Sequence, residues 1–347
     1  MKLDIRELLI SFVILLYNYN MFEYSLNNQL ISNIINLSKA LGSDKTAHLH
    51  GSFGDIYCQL SVINEYNFIN ENKINILIDE SYSELIKKTK SDKLCKVFFT
   101  NSNGINSLLS NFSVLGINSN LPIRMLPTVY PMIPELINEA KIAYIDFLRL
   151  LIGSKVEGKL RPIESDSDFE DAKKILHSND LPIGKTVLLT CDHNTHQEFS
   201  EEFWFNLCNF ISNLGLTPCL NASGTLNSGH KILNQSNIKR IKIPPHLAIS
   251  LPAACGFFIG STCGFQALQG FFNNKCICIH LVNAESGKYN YMKDKFGNIY
   301  LPKNLLLSIA SPQQKLDTHL EFIVESQQLG TNDLTIIKKH LITLNNI

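Results

Sequence analysis

Short apolar runs alternate with amphipathic stretches along most of the chain from residue 45 onward. Strands that alternate with helices in this way form parallel, doubly wound sheets, so the pattern predicts an α/β fold. In the first half we expect strands at Lys45–His50, Ile74–Ile78 and Lys96–Thr100, and helices at Ile56–Glu65 and Ser81–Thr89. The prolines that follow predict a loop and then a helix over Glu135–Leu151; they are Pro122, Pro127, Pro131 and Pro134.

The alternation restarts at Lys185, after a polar stretch with an acidic centre. Here the pattern predicts strands Thr186–Thr190, Thr217–Leu220, Cys255–Ile259 and Cys276–His280, and helices Ser200–Leu214 and Gly264–Phe272. We therefore expect two Rossmann-like domains that face a cleft. The predicted divisions are a helical extension (1–43), a first domain (44–155), a linker (156–184), a second domain (185–330) and a helix (331–347).

The most apolar run near the start is Leu8–Tyr17. It is about half the roughly 20 residues that span a bilayer, and no small-residue cleavage site follows it. Two interpretations stay open. The run belongs to a helical extension packed on the body of the protein, or residues 5–17 contact the inner face of a membrane peripherally.

Charge and cysteine content narrow the class of protein. The 31 Lys and Arg balance the 31 Asp and Glu, so no global positive field would hold nucleic acid. The nine cysteines lie mostly in apolar runs, which predicts buried, reduced thiols and a cytoplasmic protein. A length of 347 residues suits two domains.

The first candidate for chemistry lies between a predicted strand and a predicted helix. Gly51, Ser52 and Gly54 form a turn in which the backbone can approach an acceptor or a phosphate, and Asp55 follows in the first helical turn. Asp55 is either a reactive carboxylate at the mouth of a cleft or a complement to the helix dipole.

The second candidate is a small-residue turn after the predicted strand Cys255–Ile259. Ser261, Thr262, Cys263 and Gly264 offer hydroxyl and N–H groups suited to a diphosphate, although Ser and Thr also cap helices. It contains neither the G-x-G-x-x-G nor the GK[ST] pattern.

His193 and His196 follow the strand Thr186–Thr190 in a polar loop. Contact with substrate or phosphate is favoured over a metal, because no third ligand with suitable spacing accompanies them. A small basic cluster faces either a diphosphate or solvent; it consists of Lys239, Arg240 and Lys242. Asp166 and Asp168 match a D-x-D pattern but lie in the charged stretch, so we interpret them as solvated linker.

The stretches HGSFGDIYCQLSVINEY and INILIDESYSELI resemble the start of the ADP-heptose:lipopolysaccharide heptosyltransferases, of glycosyltransferase family 9. TVLLTCDHNTHQEFSEEFWFNLCNFISNLGLTPCL and ISLPAACGFFIGSTCGFQAL resemble their second half. The resemblance implies a GT-B fold and inverting transfer of a sugar from a nucleotide-diphosphate sugar to a glycan or lipid-linked glycan acceptor. It also implies that no metal or other cofactor is needed.

In this resemblance Asp55 matches the general base, and Ser261 to Gly264 match the diphosphate turn. The D-T-G of that turn is altered, because Thr262 and Cys263 replace its aspartate and threonine. We therefore expect a related hexosyl- or heptosyltransferase with another donor, acting in bacterial surface polysaccharide synthesis. The alternatives are a non-catalytic scaffold with a GT-B-like fold and a nucleotide-sugar epimerase.

Overall fold

The computed structural model describes residues 46–49, 53–70, 73–89, 95–100, 123–126, 144–154, 160–191, 200–222, 237–261, 265, 268–269, 274–282, 319–325 and 331–345. Contacts within the chain define two compact units. The first comprises Met1–His50 and Ile63–Thr128, and the second comprises Gly51–Val62 and Val129–Ile347. Both contain parallel sheets and helices, so the α/β prediction is confirmed. The domain boundaries stay predictions.

The first unit contains a four-stranded parallel sheet in the order β3-β2-β1-β4. β1 and β2 are buried along almost their whole length, as expected for strands covered on both faces. The strands are β1 (Thr46–Leu49), β2 (Asn75–Asp79), β3 (Val97–Thr100) and β4 (Ile123–Leu126).

Helices α1 (Phe53–Ile69) and α2 (Ser83–Lys88) occur where helices were predicted, with a 3₁₀ turn at Glu80–Tyr82 before α2. The beginning of α1 belongs to the second unit. Its later part is tied to the approach to β2, because the Asn67 amide donates to Ile74 O and accepts from Ile74 N at 2.8 and 2.7 Å.

Strand β4 corrects the loop predicted around Pro122. Ile123–Leu126 pairs in register with β1 and forms an edge of the sheet. Proline is tolerated at the ends of an edge strand. Because Pro122 and Pro127 flank β4 closely, the local sequence there is typical of a loop, and the four residues between them were not predicted as a strand. Of the helix predicted over Glu135–Leu151, the structure describes α3 (Tyr144–Ile152).

The second unit contains a six-stranded parallel sheet in the order β10-β9-β8-β5-β6-β7. Four of its strands confirm the predicted ones within two residues; they are β5 (Thr186–Thr190), β6 (Thr217–Asn221), β8 (Gly256–Ser261) and β9 (Cys276–Val282). The edges, β7 (Lys239–Ile241) and β10 (His319–Glu325), were not predicted as strands.

Helices cover both faces of this sheet. Along β5, Val187 and Leu189 pack in one apolar cluster and Leu188 in the other, as the two-residue period of a strand requires. The first cluster includes α5 (Glu201–Asn213) and α7 (Thr331–Asn345), and the second includes α4 (Asp166–Ser178) and α6 (Ser250–Cys255). The second unit is therefore doubly wound.

Helix α4 lies where a linker was expected. Asp166 is exposed, as the interpretation as solvated linker predicted, but it belongs to a helix, and for Asp168 that interpretation was wrong. Asp168 is buried, and its Oδ2 accepts from the backbone N and the Oγ of Ser165 at 2.9 and 2.8 Å. A carboxylate at the third helical position that bonds the residue before the helix forms a capping box. The acidic residues thus begin a helix that packs through Ala172 and Leu176.

Among the cysteines whose side chains the structure describes, Cys95 is half-buried and six are buried; they are Cys58, Cys191, Cys208, Cys219, Cys255 and Cys276. The burial of these thiols is as predicted. Burial raises the pKa of Cys208 and of Cys219 to about 12.

In the described part of the chain, no helix is both long enough and apolar enough to cross a membrane. The predicted extension 1–43, with residues 5–17, lies outside the described residues.

Candidate functional site

Asp55 lies in the first turn of α1, as the strand, turn and helix pattern predicted. Gly54 is buried and Asp55 is half-buried, whereas Gly51 and Ser52 lie outside the described residues. Burial, and secondarily the Asp55 carboxylate, raise the pKa of the Cys58 thiol well above its ordinary value. Asp55 and Cys58 therefore lie close together at the start of this helix.

The strands that precede the other two predicted motifs lie side by side in the second sheet. Thr190 at the end of β5 pairs with Gly260, and Ser261 ends β8 one residue later. Neighbouring strands lie about 4.8 Å apart, so the chain departs from both strands at the same place on the carboxyl edge. The remaining residues of these motifs lie outside the described part; they are His193, His196, Thr262, Cys263 and Gly264.

Asn221 is the last residue of β6, which lies next to β5 in the sheet. Its Nδ2 donates to Thr190 Oγ1 at 3.3 Å, and its Oδ1 accepts from Ile243 N at the same distance. Both Asn221 and Thr190 are buried. Asn221 thus ties the ends of β5 and β6 to the segment after β7. The prediction missed it, although a polar residue that ends an apolar strand was a visible signal.

The lysines of the basic cluster around β7 have different surroundings. Lys239 Nζ donates to the carbonyl oxygens of Asn179 and Asp180, both at 2.8 Å, and so closes the end of α4. Lys242 is exposed just after β7, on the same edge as the loops but three strands from β8. That separation is about 14 Å along the sheet.

The start of α1 contacts the residue that follows the small-residue turn. The rings of Phe53 and Phe265 pack with centroids 5.1 Å apart, and Phe53 also meets Tyr57 edge-on at 6.0 Å. Phe53 shares the first turn of α1 with Asp55, and Phe265 directly follows Gly264. Two motifs from opposite halves of the sequence therefore meet in the second unit.

Tyr57 also contacts a carboxylate that the sequence analysis did not identify, that of Glu164. Glu164 Oε1 accepts from the Tyr57 hydroxyl and from Ile249 N, both at 2.9 Å, and Oε2 accepts from Ser250 N at 2.6 Å. Burial raises the pKa of Glu164, and hydrogen bonds from Ser250, Ile249 and Tyr57 partly offset that rise. Burial and then the Glu164 charge hold the pKa of Tyr57 well above its usual range, so the phenol keeps its proton.

Two side-chain amides bind the backbone carbonyl groups of the same segment, at Ala248 and Ile249. Asn274 Nδ2 donates to Ile249 O at 3.2 Å and to Gln269 Oε1 at 2.6 Å. Gln269 Nε2 donates to Ala248 O at 2.9 Å and to Phe265 O at 2.7 Å. Glu164 is thereby connected through Ile249 to the turn of helix that contains Phe265.

Among the residues that the structure describes, no three His, Cys, Asp or Glu side chains come together in a way that could hold a metal ion.

Comparison by sequence finds no matching protein-family model and no matching curated protein. Comparison by structure places the chain in the α/β fold class of the family 9 glycosyltransferases, which it resembles in fold alone. The E. coli heptosyltransferase WaaC, solved with ADP, matches with a TM-score of 0.50 at 10% identity, covering 86% of this chain and 99% of that one. A glycosyl transferase family 9 structure from Veillonella parvula DSM 2008 matches with a TM-score of 0.50 at 9% identity, covering 87% and 95%. The resemblance inferred from the sequence motifs is confirmed at the level of fold.

Proposed function

We propose that this protein is a glycosyltransferase that transfers a sugar from a nucleotide-diphosphate sugar to a hydroxyl group of a glycan or lipid-linked glycan. The observation that carries the proposal is the contact between Phe53 and Phe265. It joins the turn of helix that bears Asp55 to the residue after the turn Ser261 to Gly264. In open parallel sheets, ligands bind at the carboxyl ends of the strands, where this turn begins.

In the proposed reaction Asp55 takes the proton of the acceptor hydroxyl as that oxygen attacks the anomeric carbon. The attack comes from the face opposite the diphosphate, so the configuration inverts. General-base catalysis typically contributes about 10²–10⁴-fold. Gly51, Ser52 and Gly54 would allow the acceptor to approach the backbone closely.

Negative charge develops on the departing diphosphate. Backbone N–H groups at Thr262, Cys263 and Gly264, with the Ser261 hydroxyl, would stabilise it without a metal. His193 and His196, which follow the end of β5 beside this turn, would add further donors to the diphosphate. Lys242, about 14 Å along the same sheet edge, would contact a more distant part of the bound nucleotide sugar. The WaaC structure was solved with ADP, which supports a nucleotide diphosphate as the leaving group here.

The proposal extends to a two-domain GT-B arrangement and to a role in bacterial surface polysaccharide synthesis. Because Thr262 and Cys263 replace two residues of the D-T-G turn, a non-catalytic scaffold of the same fold is the second candidate.

A thermal-shift screen tests the nucleotide site. The purified protein is heated with ADP, GDP, UDP, CMP and their sugar conjugates, with and without EDTA. A ligand at 100 times its Kd stabilises the folded state by about 2.7 kcal/mol, so one nucleotide class should raise the midpoint. Lys242→Ala should reduce this shift, and Lys174→Ala, which removes an exposed lysine on α4, should leave it unchanged.

A shift that survives EDTA supports metal-independent binding. A shift that EDTA abolishes would contradict it. No shift with any nucleotide would favour the scaffold.

A further inference from the structure

The Tyr57 to Glu164 hydrogen bond connects residues 107 positions apart in the chain. We infer that Tyr57 and Glu164 are positioning residues that fix the orientation of the start of α1 and thereby the place of the Asp55 carboxylate. The inference rests on the proposed role of Asp55 as the base, and it adds two residues to which the sequence analysis gave no role.

Glu164 is a fixed point of attachment. The next residue, Ser165, is bonded to Asp168 in the capping box of α4. The two carboxylate oxygens of Glu164 accept from two successive backbone N–H groups, Ile249 and Ser250. Asn274 holds the carbonyl of Ile249 from the other side. A carboxylate held by several donors in a partly buried place has one defined position, and Tyr57 is bonded to it.

Tyr57 transmits this position to α1. It lies one turn after Phe53 on the same side of the helix, and its ring is fully buried. Successive residues of a helix are 100° apart, so Asp55 lies about 200° around the axis from both aromatic residues. Phe53 and Tyr57 therefore hold one side of the helix, and this sets the rotation of the helix about its axis.

The rotation matters because Asp55 is at the outer radius of the helix. Side chains extend about 5–6 Å from a helix axis, so a roll of about 10° displaces a carboxylate by roughly 1 Å. A misplacement of about 1 Å at a reacting group can lower the rate about 100-fold. Of the contacts at this point, the hydroxyl to carboxylate bond is directional, whereas the ring contacts of Phe53 allow sliding.

Tyr57→Phe is the variant that separates positioning from packing. It keeps the ring and its contact with Phe53, and Glu164 keeps two backbone donors. The matched control is Tyr66→Phe, which alters another buried tyrosine further along the same helix. Amide hydrogen exchange over residues 53–58 should be faster in Tyr57→Phe and unchanged in Tyr66→Phe.

The kinetic test follows nucleotide release from ADP-, GDP- and UDP-sugars, with water and with truncated lipopolysaccharide as acceptors. Tyr57→Phe should lower kcat about ten- to hundredfold with the KM for donor unchanged. In the Asp55→Asn background it should have almost no further effect, because Tyr57 acts through Asp55. If Tyr57→Phe does not fold, Glu164→Gln replaces it in the same comparisons.

A Tyr57→Phe protein with the wild-type kcat would overturn the inference. The same holds if Tyr57→Phe lowers kcat by an equal factor in the presence and absence of Asp55, or if hydrogen exchange over residues 53–58 is unchanged. If Asp55→Asn is inactive while Tyr57→Phe is fully active, the positioning role fails and the proposed function stands. If the wild type releases no nucleotide while exchange changes as expected, the proposed function fails and the attachment of α1 is supported.

Discussion

The junction between α6 and β8 allows us to predict from the structure how much one substitution lowers the free energy of unfolding. Gly256 follows α6 directly and has φ of +103°, in the left-handed region. A Cβ atom at this position would lie 2.5 Å from the carbonyl oxygen of Gly184 and 2.7 Å from its carbon. Gly184 is not free to retreat, because its N–H donates to Ala254 O at 2.9 Å. Gly256→Ala therefore introduces both backbone strain and a steric clash.

Gly215 provides the matched control. Its φ is +74°, and a Cβ there would meet nothing within 4 Å. Gly215→Ala should cost only the left-handed strain, about 1–2 kcal/mol. Gly256→Ala adds overpacking, which typically costs about 1–3 kcal/mol, so its total is about 2–5 kcal/mol.

Urea unfolding of the two variants measures the difference directly. We expect the free energy of unfolding to fall further in Gly256→Ala than in Gly215→Ala, by about 1–3 kcal/mol. Equal losses would refute the reasoning, because they would mean that the Gly184 carbonyl does not restrict residue 256.

Asp168→Ala removes the carboxylate that bonds Ser165 and should lower the free energy of unfolding by about 1–2 kcal/mol, whereas Asp166→Ala at an exposed position should change it much less. Glu164→Gln should remove a pH-dependent contribution to stability. Since burial raises the pKa of Glu164 in the folded state, the native protein binds the proton more tightly than the unfolded chain. The stability of wild type relative to Glu164→Gln should therefore fall as pH rises from about 4 through the raised pKa, and a difference that is constant or increases with pH would contradict this. Cys208 and Cys219 should resist alkylation at about pH 8 until the protein unfolds, because burial raises the pKa of each thiol to about 12. Mass spectrometry of alkylated peptides checks this.

Strands whose residues are buried on both faces gave the clearest signal in the sequence. Thr186–Thr190 is such a run, and all five residues are buried in β5. The sequence did not predict β4 between two prolines, since the local signal there is that of a loop. Helix α4 was missed for a different reason. Its charged residues face outward, where Lys173 and Lys174 pair with Glu170 and Asp171, and they obscured the apolar side that packs on α6.

In the candidate site, too, some residues could be predicted from local sequence patterns and others could not. Asp55 was found because the residues before it form a local turn pattern. Glu164 was not, because two of its partners are backbone N–H groups 85 and 86 residues away, which leave no trace in side-chain identity. Lys239 was expected to face a diphosphate or solvent and instead closes the end of α4. Contacts between distant segments depend on how the helices pack, which local patterns do not specify.

The measurement that tests the proposed function most directly compares wild type with Asp55→Asn. Once the thermal-shift screen has identified a nucleotide sugar, transfer to truncated lipopolysaccharide is followed for both proteins at saturating donor. We predict that kcat falls about 10²–10⁴-fold in Asp55→Asn while the stabilisation by donor is unchanged. A variant that transfers sugar at the wild-type rate would contradict the account, because Asp55 would then not be the base.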